Sequence, residues 1–218
     1  MQDWSGYLWL MAQGAGTTAL LSLLGSGLAL LVAFIMGVAR LSGRVYVRYP
    51  AVAFVEFFRG SSVFVQLFWV YYVMPIFGIK FHPITAAVLV LGANVGSFGS
   101  EIVRASIKAV PREQYEACKA LNLTKWTGFR FVILPQALRI MLPPFSNQAV
   151  ELIKISAVVS LITVADATFQ ANMVRSATGN TLVPYLLLLM FYYLLATCWV
   201  QAIRLLERRL ASRSGGMM

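Results

Sequence analysis

The sequence predicts an all-α integral membrane protein with five transmembrane helices. Of its 218 residues 59% are apolar and only 12% charged, and the mean hydropathy is +0.74. A soluble domain sits near half apolar and a quarter charged, so the surplus exceeds what one water-facing core can hide. A bilayer span takes roughly 20 apolar residues, so about 100 residues suffice for five helices and leave chain for the connections. The formal charge of +10 is the third observation, because the basic residues lie beside the apolar runs, where they set orientation. No aromatic-interleaved basic groove or nucleic-acid module is present, which excludes nucleic acid as a partner. Cys118 and Cys198 are far apart and give no disulfide framework. They read as small hydrophobes.

The first span runs from about Thr17 to Ala39 and is followed at once by Arg40, Arg44 and Arg48. Residues 1–15 contain Asp3 and no Lys or Arg, so they lack the basic start of a signal peptide and are expected outside the cell membrane. The second span runs from about Ser61 to Phe77, after an interfacial stretch with Glu56 and Arg59. Pro75 and Gly78 close it, and Lys80-Phe81-His82-Pro83 forms an outside turn. The third runs from about Ile84 to Val103, where Gly92, Gly96 and Ser100 recur every fourth residue and offer a small-residue face for close packing.

Arg104, Lys108, Arg112, Lys119, Lys125 and Arg130 then mark a long cytoplasmic segment. A helix from about Trp126 to Met141 enters from that side, and a fourth span from about Pro143 to Val164 follows, with Pro135, Pro143 and Pro144 as interruptions. The polar segment Asp166 to Thr181 lies outside and reads as a gate helix, a landing surface or a connecting loop. The last span runs from about Val183 to Ile203 and ends in a cytoplasmic tail, 204–218, with Arg204, Glu207, Arg208, Arg209 and Arg213. Of the 18 Lys and Arg, all but Lys80, Lys154 and Arg175 fall on the cytoplasmic side. The expected orientation is therefore N-terminus outside and C-terminus inside. No repeat or linker divides residues 1–218, which read as one domain.

The chemistry of the chain is mostly negative. It has no GxxxxGK[ST] phosphate loop, no HExxH and no CxxC, and His82 stands alone in a turn. We expect no catalytic residue, no metal ligands and no cofactor on this chain, which is not itself an enzyme. The feature that stands out is cytoplasmic. After Pro111 come good helix formers with Tyr115, Cys118 and Leu121 at spacings of three, and Asn122 can take the left-handed conformation that stops a helix. So short a surface helix cannot bury its apolar stripe within its own loop and needs a partner.

These residues resemble the EAA-x3-G-x9-I-x-L-P signature of permease subunits of bacterial ATP-binding-cassette (ABC) importers: Glu116-Ala117-Cys118, Asn122, Val132, Leu134 and Pro135 stand at its positions. Further blocks resemble the polar amino-acid branch, whose members take His, Glu, Gln, Arg or opines. They are Glu56-Phe57-Phe58-Arg59-Gly60, Val65-Gln66-Leu67-Phe68, Glu101-Ile102-Val103-Arg104, Leu134-Pro135-Gln136-Ala137-Leu138-Arg139, and Leu142-Pro143-Pro144 with Asn147 and Lys154. Their shared order covers roughly Arg40 to Val164.

The resemblance implies a MetI-like, type I importer permease in the bacterial cell inner membrane. Two permease subunits, identical or paralogous, form the pathway, and an ABC ATPase dimer below holds ATP and Mg. An extracytoplasmic solute-binding protein delivers the substrate. It implies that 111–123 is the coupling helix region, with Tyr115, Glu116, Ala117, Cys118, Leu121 and Asn122 meeting the ATPase. The chain departs from the pattern in four places. Asn122 stands for the usual Gly and Cys118 for the second Ala. Ser61-Ser62-Val63 replaces Thr-Pro-Leu, and Lys154-Ile155-Ser156-Ala157 replaces Lys-Asp-Thr-Ser. The last removes an acid midway along span four, so the chain should not favour cationic amino acids.

Charged residues inside a bilayer face a bundle interior or a wet cavity, because facing lipid costs roughly 2.5 to 3.5 kcal/mol. Asn147, Glu151 and Lys154 share one helix face, with Gln148 beside them. With Gln66 and Ser156 they are the candidate polar wall of the pathway, although a Glu151–Lys154 pair could equally satisfy only itself. The expected function is import of a small polar solute: an amino acid, an opine or an ectoine-like compatible solute. The alternatives are an ion-coupled secondary transporter or channel using Glu151 and Lys154, and a membrane scaffold without transport.

Overall fold

The computed structural model describes residues 4–212 and, among them, contains helices and no strand. Met1 and Asp3, expected outside, and 213–218 at the end of the expected tail lie outside the described residues. The helices are α1 (Trp4–Ala39), α2 (Val45–Gly60), α3 (Val63–Phe68), α4 (Pro83–Ala109), α5 (Arg112–Ala120), α6 (Lys125–Gly128), α7 (Leu134–Ile155), α8 (Ala167–Thr178) and α9 (Leu182–Ser212). Among the described residues four stretches are long and apolar enough to cross a membrane, Ser5–Ala39, Pro83–Ala109, Lys125–Ile162 and Leu182–Ile203. A fifth arises if the bent pair Val45–Gly60 and Val63–Phe77 counts as one span.

α1 begins at Trp4, well before the expected Thr17, because nothing in Trp4–Gly16 breaks a helix and its far end packs on another element. There Thr18 Oγ1 donates to Gly14 O (3.1 Å) and accepts from Ala167 N (3.0 Å), so α1 seats the start of α8. The expected boundary between a helix ending at Met141 and a span starting at Pro143 is absent. Lys125–Ile162 runs as one helical stretch, with a π turn at Phe129–Ile133 and a 3-10 end at Ser156–Ile162. Pro143 and Pro144 orphan the carbonyls of Arg139 and Ile140, and both of those residues are exposed, so the helix survives the loss.

α1 and α4 form the centre. A Cβ on Gly96 would come within 2.7 Å of Val32 Cβ and 2.8 Å of Ala29 O, and one on Gly92 within 2.7 Å of Leu28. The small-residue face of α4 is thus the seat of α1, and only hydrogen at those Cα atoms permits the approach. Around this pair the buried apolar residues fall into one group with Leu21, Leu67, Leu91 and Ile162, and a second with Ala33, Val103, Ile133 and Met141. Arg40 closes the end beside the second group: its guanidinium donates to Glu101 Oε2 (3.0 Å), and Glu101 also pairs with Arg104.

Candidate functional site

α5 lies across the ends of the two long spans. Its inner face is Gln114, Tyr115 and Cys118, the spacing that puts three residues on one side of a helix. Tyr115 OH donates to Ile107 O near the end of α4 (2.7 Å), and Gln136 Nε2 of α7 donates to Gln114 Oε1 (3.2 Å). Cys118 and Tyr115 wall a cavity of about 270 Å³ against Gly128, Phe129 and Ile133. Glu116, Ala117 and Leu121 point away and are exposed, Leu121 by 72%.

The helix stops as the residues dictate. Asn122 has φ 54°, Asn122 N donates to Lys119 O and Leu123 N to Cys118 O, both at 3.0 Å. This is the paired closure of a left-handed helix end, made by Asn where Gly is commoner. Of the six residues expected to meet the ATPase, Glu116, Ala117, Leu121 and Asn122 are presented outward, while Tyr115 and Cys118 turn back into the protein.

On α7, Asn147, Glu151 and Lys154 are exposed along one face. Among the described residues no ion pair joins Glu151 to Lys154; the pairs present are Arg40 with Glu56 and Glu101, and Arg104 with Glu101. Gln148 and Glu151 line a cavity of about 330 Å³ with Ser61, Asn94, Phe98 and Ile155. Ile155 occupies the position where the resembled motif carries its acid. Gln66 sits behind this cavity. Its Nε2 donates to Phe58 O (3.0 Å) and Ser61 Oγ (2.7 Å), and its Oε1 accepts from Asn94 Nδ2 (3.2 Å). Asn94 Nδ2 also donates to Phe58 O (2.9 Å). Two buried amides therefore satisfy the end of α2 where the chain bends by 103° into α3. Ser156 is buried and donates to Ile153 O (2.7 Å), closing the last α-helical turn of α7.

Sequence reasoning passed over Ser61 and Asn94 as wall residues and gave Asp166 no role beyond opening the polar segment after span four. A polar amide inside an otherwise apolar span was the available signal for Asn94. Asp166 is 1% exposed and caps α8, its Oδ1 accepting from Phe169 N (2.8 Å), while Oδ2 has no partner. Burial pushes its carboxyl from 3.8 up to about 6, against the opposing pull of the cap. At the same end Tyr71 OH and Thr163 Oγ1 lie 3.3 Å apart and Tyr72 OH donates to Leu161 O (3.3 Å), pinning the irregular end of α3 to the 3-10 end of α7. Thr163 stands at φ 64°, a conformation a β-branched residue rarely adopts.

Residues 29–212 match the family model described as "Binding-protein-dependent transport system inner membrane component". The chain belongs to this family. This permease is similar to the probable amino-acid ABC transporter permease protein y4tF of Sinorhizobium fredii (strain NBRC 101917 / NGR234), 36% identical over 94% of this chain and 89% of the relative. It is similar to the glutamine transport system permease protein GlnP of Escherichia coli (strain K12), 33% identical over 95% and 97%. A solved structure titled as an amino acid ABC transporter with histidines superposes with TM-score 0.87 at 31% identity, over 95% of the permease and 97% of that chain. The permease is thus a multi-pass inner-membrane transport component of the MetI-like kind, not itself catalytic, and the ion-coupled, channel and scaffold readings are not favoured. Membership carries with it an ATPase and a binding protein as partners.

Proposed function

We propose that this permease imports an amino acid or a close zwitterionic relative, such as an opine or ectoine-like solute, through a pathway lined by α7. An ABC ATPase dimer below holds ATP and Mg, this chain holds no cofactor, and a second permease, identical or paralogous, completes the pathway. The N-terminus is outside and the C-terminus cytoplasmic, as the distribution of Lys and Arg requires. The relatives y4tF and GlnP, named for amino-acid and glutamine transport, support the substrate class.

The observation that carries the mechanism is the double tether of α5. Its hydrogen bonds reach α4 through Tyr115 and the α7 stretch through Gln114, while Glu116, Ala117 and Leu121 remain outward. An ATPase groove that closes on the outward face pushes a lever attached to both long spans. The push turns the face with Asn147, Gln148, Glu151 and Lys154 between outside and inside access. α8, held to α1 and α9 by Thr18 and Tyr192, supports a landing role for the binding protein.

Reconstituted with its ATPase and binding protein, Glu116→Lys is expected to keep ATP hydrolysis while solute uptake falls at least tenfold. Uptake equal to wild type rejects the coupling assignment.

A further inference from the structure

The buried face of α8 is small, made of Ala167, Ala171 and Val174, so polar contacts do much of the holding. Ala167 N donates to Thr18 Oγ1 on α1 (3.0 Å), Thr168 Oγ1 and Tyr192 OH on α9 lie 3.1 Å apart, and Tyr185 OH donates to Asn172 Oδ1 (2.5 Å). α1 comes so near that a Cβ on Gly14 would lie 2.7 Å from Asp166 O. Two left-handed residues bound the segment, Thr163 at φ 64° and Gly179 at φ 68°. The first is strained and persists only while its surroundings hold it; the second turns without strain. A short helix with little apolar burial between two such joints is the kind of element that opens locally.

Asp166 lies inside this contact. Its Oδ1 accepts from Phe169 N, while Oδ2 is buried without a partner. The side chains around it are hydroxyls: Thr168 on its own helix and Tyr192 on α9, with Thr18 of α1 and Ser156 at the end of α7 close to the same phenol. No charged residue faces it from these elements. α1 and the Ser156–Ile162 end of α7 contain none, α9 has none before Arg204, and Arg175 of α8 is exposed, about two and a half turns further on. Tyr192 is thus the one titratable neighbour, and among the described residues Asp166 makes no ion pair. A carboxylate cut off from water, with no cation and one oxygen unpaired, is unfavourable, whereas the neutral acid is tolerated. Carried into water by a movement of α8, the same group ionises as an ordinary aspartate. The docked and undocked positions therefore differ in proton affinity.

We propose that Asp166 is a proton-operated latch: with a proton on its carboxyl α8 stays docked on α1 and α9, and loss of that proton to water releases α8 about its joints at Thr163 and Gly179. Burial lifts the carboxyl from 3.8 to about 6. The proton's contribution to docking is complete below the ordinary value and is lost as pH rises through about 6, a change of roughly tenfold in the docking equilibrium between pH 5 and pH 7. α8 follows directly on the outer end of α7, so docking anchors that end. Slower uptake in external acid is the consequence for transport. That consequence rests on α7 being the pathway helix proposed above; the docking itself does not.

The test uses the permease with its ATPase and binding protein in lipid nanodiscs, followed by hydrogen–deuterium exchange corrected for the intrinsic effect of pH. Protection of residues 167–178 is expected to fall about tenfold from pH 5 to pH 7 while α4 stays protected. Asp166→Asn, which keeps the cap and cannot ionise, should hold α8 protected at both pH values. Gly14→Val, which forces α1 off the Asp166 carbonyl, should lower that protection at both. The infrared difference between wild type and Asp166→Asn at pH 5 should contain the stretch of a protonated carboxyl. Protection that ignores pH in the wild type, a pH response that survives Asp166→Asn, or no protonated-carboxyl band in the difference spectrum overturns the latch. So does α8 exchanging only together with α4, which would assign the proton to the fold as a whole. In reconstituted vesicles, uptake at external pH 5 is expected several-fold below that at pH 7, and equally slow at both in Asp166→Asn. Uptake that ignores pH while α8 protection responds would leave the latch standing and reject α7 as the pathway helix.

Discussion

Asp166 illustrates what position does to a single carboxyl. It caps α8 from a buried site, and burial raises its carboxyl from 3.8 to about 6. The group contributes stability when protonated. That contribution is complete below the unfolded value and is lost as pH rises through about 6. The thermal unfolding temperature of the purified permease is therefore expected to fall from pH 4 to pH 7, and Asp166→Asn, which can still cap, should flatten that decline. An equal decline in the variant would place the titration elsewhere. Ile155 makes the opposite point, an apolar side chain in a cavity that Ser61, Asn94, Gln148 and Glu151 also line. Ile155→Asp restores the acid of the resembled motif and is expected to shift uptake at least several-fold toward a cationic amino acid, measured by competition between arginine and glutamine. Asn122 was legible from the sequence, since its type alone suits φ 54°. Tyr115 was not, because spacing reveals that a residue lies on the apolar stripe but not whether a partner subunit or the same chain covers it.

At the scale of elements, α4 and α1 are joined by the absence of side chains. Gly96→Leu must displace Ala29 O, which is backbone, as well as Val32, so the helices separate instead of repacking. The expected cost is about 1–3 kcal/mol or more, read as a lower unfolding temperature in detergent, with Gly27→Leu as a control facing open space. The repeat of Gly92, Gly96 and Ser100 made this contact readable in advance. Span four was less readable. Prolines argue for a break when the freed carbonyls are buried, but Arg139 and Ile140 are exposed and the stretch continues. The bend between α2 and α3 was equally hidden, since Gln66 and Asn94 lie 28 residues apart and only folding brings both amides to Phe58 O.

Across the whole molecule, the decisive relation is between α5, the proposed lever, and the spans. Tyr115 OH reaches Ile107 O on α4, so Tyr115→Phe removes one tether without touching the outward face. Transport per ATP hydrolysed is expected to fall a few-fold while ATPase binding, measured by copurification, stays at the wild-type level. A loss of copurification instead would place Tyr115 in the partner contact. Glu151 and Lys154 belong to this scale too. With no ion pair between them among the described residues and both exposed on one face of α7, they are the charges that the proposed pathway would turn toward the second permease.

The sequence by itself determined the membrane class, the helical architecture, the small-residue face of α4 and the position and end of α5. These follow from hydropathy, residue size and backbone preference, which act over a few turns and need no partner. Tertiary structure alone decided that Gln66, Asn94 and Ser156 brace helix ends, that Tyr115 ties α5 to α4, and that Asp166 is buried. A hydrogen-bonding group is assigned its role by the acceptor or donor it meets, and those partners come from segments far away in the chain, which no local pattern specifies.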